Sequence, residues 1–189
     1  MSEPKTSRKK ITRDTPQVDS IDSAEEQIEY MIGLCSYGSI LLATSSKGVC
    51  AVFLGDHPDA LFVELRQQFP EAEFIAGDDK FEQLLVEVIN FVESPDKELD
   101  LALDIRGSSF QRAVWAALME IPYGETCTYT ELAMRIGSPS AVRAVAQACA
   151  ANRIAVIIPC HRVVRLDGDL SGYRWGTKRK QRLLEKEQN

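Results

Sequence analysis

The chain has 189 residues, 44% of them apolar and 26% charged, with a net charge of −6. That composition excludes a wholly disordered chain, and the length fits one large domain or two small ones. No apolar run approaches the about 20 residues needed to cross a bilayer, and the polar, basic start at 1–15 lacks the apolar stretch of a secretory signal. Five cysteines stand at 35, 50, 127, 149 and 160 with no C-x-x-C pair. They suggest neither a disulfide framework nor a zinc site, so a reducing, cytoplasmic setting is expected.

The charge is unevenly spread. Residues 106–189 carry +6, residues 28–105 carry −11 and residues 1–27 carry −1. Such polarity is the cue for a positive face and an anionic partner such as DNA or RNA. The alternative is two portions that neutralise each other where they pack.

Residues 1–27 are polar, show no apolar period and read as a flexible tail. Residues 28–35, 40–44 and 49–54, separated by short Gly turns, predict three strands of an antiparallel meander. A helix is expected over 56–69, with Asp56 as its cap, Pro58 in the first turn and Pro70 beyond the end. Apolar residues at 81, 84, 85, 88, 89 and 92 follow the helical period and predict a helix over 78–92. The alternation of Leu99, Leu101, Leu103 and Ile105 predicts a strand returning to the sheet.

The second half is more helical. Ser108 or Ser109 can cap a helix running to about Glu120. Thr128 and Glu131 have capping-box spacing and open a short helix, which Gly137 ends in a left-handed position. Ser138-Pro139 begins the next helix, running to about Ala151. Two short helices around a tight Gly turn have a helix-turn-helix shape. Residues 155–158 read as a short buried strand, 163–170 as a hairpin and 177–187 as a basic amphipathic helix.

Cys160 is the leading chemical candidate. A free thiol with a pKa of ~8.5 is mostly protonated at neutral pH, and the adjacent His161 and Arg162 can lower that value and yield a nucleophile. A small apolar residue filling the core is the other reading. Cys35, Cys50, Cys127 and Cys149 have no adjacent base and read as packing residues. The helix at 139–151 holds six alanines, with Val142, Val145 and Cys149 as its core stripe. Arg143 and Gln147 sit among small side chains, which suits either tight helix packing or a helix pressed on nucleic acid. Tyr129 is either half-buried packing or a polar aromatic at the same surface.

Pro159-Cys160-His161-Arg162-Val163 resembles the acceptor-cysteine motif of the methylated-DNA–protein-cysteine methyltransferases, also called O6-alkylguanine-DNA alkyltransferases. Phe110, Val114-Trp115, Ile121-Pro122-Tyr123-Gly124-Glu125, Thr128-Tyr129, Ala141-Val142-Arg143-Ala144-Val145, Ala151-Asn152 and Ser171-Gly172-Tyr173 fit the same pattern in order. The likeness covers 103–189 strongly and 28–102 in outline, and it is nearest to the Ada-type bacterial members. The zinc-binding, phosphotriester-repairing domain of full Ada proteins has no counterpart here.

The resemblance implies an α/β (α+β) chain. Its parts are a flexible tail over 1–27 and a small ribonuclease-H-like antiparallel sheet with helices over 28–105. A winged-helix-like, helix-turn-helix catalytic domain follows over 106–189. It implies Cys160 as methyl acceptor, His161 as a base acting through a water and Glu187 as the acid holding that histidine, with Glu185 close by in sequence. Asn152 buttresses the active turn, Tyr129 hydrogen-bonds the flipped guanine, and Arg143 enters the stack in place of the extruded base. Thr128, Ala144 and Gln147 join Arg143 and Tyr129 at the DNA surface, approached from the minor groove. Arg174-Trp175 departs from the Ser-Gly of some members, so no side chain is assigned as donor to the guanine oxygen.

The implied activity is single-turnover removal of methyl from O6-methylguanine, and from O4-methylthymine, in double-stranded DNA. It implies a monomer with no cofactor, no metal and no membrane partner. Rival readings are a cysteine hydrolase, which would turn over, and a DNA-binding regulator or lesion-binding protein, which would not use Cys160.

Overall fold

The computed structural model describes residues 26–97 and 99–188. The first three strands, β1 (Glu26–Cys35), β2 (Gly38–Ser45) and β3 (Gly48–Gly55), form the expected antiparallel meander. Glu26 and Gln27, expected in the tail, are already paired in β1, and residues 1–25 lie outside the described range. Helix α1 (Pro58–Gln68) follows, then β4 (Ala72–Ala76). The sheet order is β3-β2-β1-β4, and β4 runs parallel to β1. The sheet is therefore mixed rather than antiparallel. Strand β4 has only five residues, with Glu73 its one polar side chain, too short a run to show an alternation in the sequence.

Helix α2 (Asp79–Glu93) is capped by Asp78, whose carboxylate accepts from the amides of Lys80 and Phe81. Its buried side chains Phe81, Leu85, Val88 and Val92 turn inward, and the helix packs on β1. Asp56 does not cap α1; it pairs with Arg179, and His57 stands at the cap without a side-chain bond.

The predicted strand at 99–105 reduces to one bridge. Leu103 pairs with Val49, through Val49 N–H to the Ala102 carbonyl (2.8 Å) and Asp104 N–H to the Val49 carbonyl (2.8 Å). Gly48 permits this approach: a Cβ there would stand 2.2 Å from the Ala102 carbonyl oxygen.

Helix α3 (Ser109–Met119) opens on a complete Ser108–Gln111 capping box, and α4 (Tyr129–Arg135) on the Thr128–Glu131 box. A short strand, β5 (Cys127–Thr128), precedes α4. Gly137 takes the left-handed conformation expected of it (φ +71°). Helix α5 (Val142–Ala150) starts later than Ser138-Pro139 suggested, because a turn closed by Ala141 N–H to the Ser138 carbonyl (2.9 Å) occupies those residues. Its buried stripe is Val145, Ala148 and Cys149, leaving Val142 only partly covered.

Residues 155–158 form no strand. The segment touches the outer edge of β3 through Val52 N–H to Arg153 O (2.8 Å) and Ala155 N–H to Val52 O (2.9 Å). It then breaks at Val156, whose φ of 66° is costly for a β-branched residue. The 3-10 turn Cys160–Arg162 leads into β6 (Val163–Val164), which pairs in parallel with β5 in place of the expected hairpin. Helix α6 (Thr177–Glu187) matches its prediction.

The fold is mixed α/β as expected. Its charge asymmetry is met in part internally. Arg106 pairs with Asp104, Arg174 with Glu64, Arg179 with Asp56 and Lys186 with Glu93, joining the basic and acidic portions. Among the described residues no helix is long and apolar enough to cross a membrane.

Trp115 locks α3 to α5 by donating its indole N–H to the Ala148 carbonyl (2.8 Å), at the helix end where that carbonyl would lack an intrahelical partner. Trp115→Phe is expected to lower the unfolding free energy in urea by about 1–3 kcal/mol at unchanged m. An unchanged midpoint would contradict that role.

Candidate active site

Four elements converge on the thiol of Cys160. The end of α5 delivers Asn152, the loop 153–159 brings the chain back, the 3-10 turn presents Cys160, His161 and Arg162, and the last turn of α6 supplies Glu187. Asn152 is the hub of the loop. Its Oδ1 accepts from the Ile154 amide (2.9 Å), while its Nδ2 donates to the carbonyls of Ile158 (2.9 Å) and Ile154 (3.2 Å). The same Nδ2 lies 3.2 Å from the Cys160 Sγ. These bonds hold the strained Val156 in place, and they are the reason 155–158 curls rather than extends.

The thiol is almost wholly buried, at 4% exposure. Burial pushes its pKa up to about 11, against the smaller opposing effects of the Asn152 hydrogen bond and the Lys180 charge. Cys160 therefore rests as a thiol. The expectation that His161 and Arg162 would lower its pKa fails, because both side chains turn to Glu187 instead.

That carboxylate is shared. His161 Nε2 lies 2.7 Å from Glu187 Oε1, Arg162 Nε donates to Oε2 (2.9 Å) and an Arg162 terminal nitrogen donates to Oε1 (3.1 Å). Gly124 N–H also points to Oε2 (3.3 Å), and Arg162 donates to the Ile121 carbonyl (2.7 Å). Burial works against the Glu187 charge, but the bonds from His161 and Arg162 outweigh it and hold its pKa at about 2. For His161, which is fully buried, desolvation prevails over the Glu187 bond and its pKa lies below 6.5. The ring is then neutral. With Nε2–H given to Glu187, Nδ1 is left as a bare acceptor, and it has no partner within the described chain.

Glu187, not Glu185, is the acid. Lys180, Leu183, Leu184 and Glu187 form the buried stripe of α6, whereas Glu185 is exposed and accepts from Gln181 (2.8 Å).

Beside this core lies a groove of about 510 Å³, within the usual range for a small-molecule site. Val142, Arg143, Ala146, Gln147 and Ala150 of α5 form one wall, residues 165–172 contribute to the other, and Tyr129 borders it at the start of α4. Burial, with the Cys149 and Cys160 thiols nearby, pushes Tyr129 up to about 12, so its hydroxyl stays a proton donor. Arg143 is exposed and, among the described residues, has neither hydrogen bond nor ion pair.

The structure thus brings together Cys160, His161, Glu187 and Asn152, and sets Tyr129, Arg143 and Gln147 on the groove. Ala144 is exposed on α5 but does not line it. The Thr128 hydroxyl is spent on its cap, accepting from the Glu131 amide (3.1 Å). Sequence reasoning missed the Arg162–Glu187 clamp, whose two residues stand 25 positions apart and so gave no local signal. Cys50, Cys127 and Cys149 are buried as expected, and Cys35 is half-buried.

A family model described as 6-O-methylguanine DNA methyltransferase, DNA binding domain, matches residues 109–189. The methylated-DNA–protein-cysteine methyltransferase, inducible, of Bacillus subtilis is 40% identical over 147 residues, covering 77% of this chain and 82% of its own length. The chain belongs to the methylated-DNA–protein-cysteine methyltransferase family. The bifunctional transcriptional activator/DNA repair enzyme Ada of Escherichia coli is 53% identical over 160 residues, 85% of this chain but 45% of that protein. The chain therefore spans just under half the length of Ada. The crystal structure of Mycobacterium tuberculosis OGT in complex with DNA superposes with a TM-score of 0.71 at 34% identity, covering 85% of this chain and 92% of that one. The segment matched by the family model contains every residue of the site built above.

A neutral buried histidine has a consequence for stability. The unfolded chain takes up a proton at His161 as the pH falls through 6.5, and the folded chain resists it. Stability present above 6.5 is therefore lost as the pH falls from there toward the folded value. His161→Gln is expected to flatten the dependence of the urea midpoint between about pH 7 and 5. An unchanged slope would mean that His161 titrates alike in the folded and unfolded chains, which contradicts a buried neutral ring.

Proposed function

We propose that this chain repairs DNA by direct reversal, transferring the methyl group of O6-methylguanine irreversibly to Cys160. The observation that carries the reading is a buried thiol one residue from a neutral histidine whose Nδ1 is unpartnered. O4-methylthymine is a second expected substrate. The working unit is a cytoplasmic monomer, with residues 28–105 as an N-terminal domain and 106–189 as the DNA-binding, catalytic one.

The lesion is inaccessible within a duplex, so the nucleotide must be flipped, at a cost of a few kcal/mol. The small residues of α5 suit close approach to the minor groove, and Arg143, unpaired at its rim, fills the space left in the stack. The flipped base enters the groove beside Tyr129. His161 Nδ1 takes the Cys160 proton through an intervening water. The sulfur attacks the methyl carbon in line, the S–C bond forms as the C–O6 bond breaks, and the electron pair leaves on guanine. The hydroxyl of Tyr129 donates to the base and stabilises the developing charge. The product thioether has no hydrolytic path back to the thiol, so each molecule acts once.

Incubation with methylated duplex is expected to place one methyl per molecule on the Cys160 peptide, read by mass spectrometry. Cys160→Ser is expected to abolish transfer while retaining DNA binding. Methyl on another cysteine, or release of repaired DNA beyond one equivalent, would overturn the reading.

Arg143→Ala is expected to slow repair of duplex much more than transfer from free O6-alkylguanine base, which needs no flipping. Equal slowing on both substrates would remove Arg143 from the flipping step.

A further inference from the structure

Arg174, which stands where some members of the family carry serine, does not line the groove. Its Nε donates to Glu64 of α1 (3.0 Å), and its guanidinium lies 5.6 Å from the centre of the Phe53 ring. A terminal nitrogen reaches the Ala150 carbonyl (3.5 Å) at the end of α5, where helix carbonyls lack intrahelical partners. One turn further along α1, Gln68 accepts from the Nε of Arg153 (2.7 Å). The Arg153 guanidinium also lies 5.3 Å from the centre of the Phe69 ring, at the end of α1. Glu64 and Gln68, four residues apart, share one face of the helix. Asn152 sits between the two points they hold: Ala150 two residues before it, and Arg153 immediately after.

Position 153 is a poor place for a cation. Arg153 is half-buried beside the like charges of Arg174 and Arg106, and among the described residues no carboxylate pairs with it. An apolar side chain would fill the place without desolvating a charge. The backbone here is already fastened to β3 at Val52, so the guanidinium is not needed merely to dock the segment. Asn152 supplies the finer requirement. Its side-chain amide has two hydrogens. Three acceptors stand within their reach: the carbonyls of Ile158 (2.9 Å) and Ile154 (3.2 Å) and the Cys160 sulfur (3.2 Å). Not all three can be served at once, so a small displacement of Asn152 takes the hydrogen off the sulfur. Of the three bonds, only that one strengthens as negative charge develops on its acceptor.

We infer that Glu64 and Gln68 of α1 are positioning residues of the transfer reaction. Through Arg174 and Arg153 they hold the chain on both sides of Asn152, so that its amide keeps a hydrogen on the Cys160 sulfur. The inference rests on the transfer reading and deepens it. As the thiol proton passes to His161, the amide hydrogen stabilises the charge left on sulfur. The S–C bond then forms, the C–O6 bond breaks and guanine leaves with the electron pair. Helix α1 thus acts on the reacting atom from the sheet side of the molecule, without touching the substrate.

The test is the double variant Glu64→Ala/Gln68→Ala, in single-turnover transfer from saturating methylated duplex and from free O6-alkylguanine base. Transfer is expected to slow roughly tenfold on both substrates, the worth of one hydrogen bond to a charged acceptor, with an unchanged Kd for duplex. Gln68→Glu, which keeps the acceptor for Arg153, is expected to retain the rate. Unchanged rates in the double variant, or slowing on duplex alone, overturn the inference. Alkylation of Cys160 by chloroacetamide at neutral pH, followed on the Cys160 peptide, separates a displaced Asn152 from a loosened fold. Slower alkylation than in the unsubstituted chain is expected, because the thiolate loses its donor. Faster or equal alkylation overturns the inference. Should the double variant fail to fold, the same measurements are made on Gln68→Ala alone, with the same outcomes deciding. Failure of the transfer reading shows separately: the unsubstituted chain then takes no methyl from duplex DNA, while the chloroacetamide rates still report on Asn152.

Discussion

The carboxylate of Glu187 decides which nitrogen of His161 is free. A neutral imidazole has one donor and one acceptor, and the group bound to one nitrogen fixes the role of the other. Glu187 takes Nε2, so the proton resides there and Nδ1 keeps its lone pair. Arg162 makes this possible without charging the ring. Its guanidinium spans both Glu187 oxygens and supplies the positive charge that the buried carboxylate requires. Without Arg162 that duty would fall on the imidazole, and a protonated imidazole is no base. The docking of α6 thus determines the protonation state of a residue 26 positions earlier.

The rest of the molecule holds this arrangement in register. Strand β3 offers its outer edge to two segments, 102–104 and 153–155, so the sheet is the template on which the active loop is laid. Asn152 then folds the loop back to Cys160. The ion pairs between the acidic and basic portions tie α6 and the loop before it to the sheet side of the molecule. Arg174 and Arg179, which carry part of the positive excess of the second half, meet Glu64 and Asp56. The net charge of a segment was therefore a poor guide to a binding face.

Much of the fold was legible because its signals are local. The period of α2, the serine cap of α3, the capping box of α4 and the amphipathic pattern of α6 need only neighbouring residues. The misses share one cause. Residues 155–158 are apolar and buried, which composition cannot distinguish from a strand, and their path is set by hydrogen bonds to Asn152. Asp56 has the right chemistry for a cap, but a distant arginine competes for it. At the site, Cys160 and His161 were found as neighbours, while Asn152 and Glu187 rested on the family resemblance. Adjacency also misled: side chains in a 3-10 turn diverge by roughly 120° per residue, so the basic neighbours of Cys160 face Glu187 and the thiol is governed by burial.

The account stands most directly on the tautomer of His161, which ¹⁵N NMR of the selectively labelled imidazole reads. It predicts a neutral ring near neutral pH, with the proton on Nε2 and a bare Nδ1, converting toward the imidazolium only below the ordinary histidine value. A ring protonated on both nitrogens at neutral pH, or one carrying its proton on Nδ1, would contradict it.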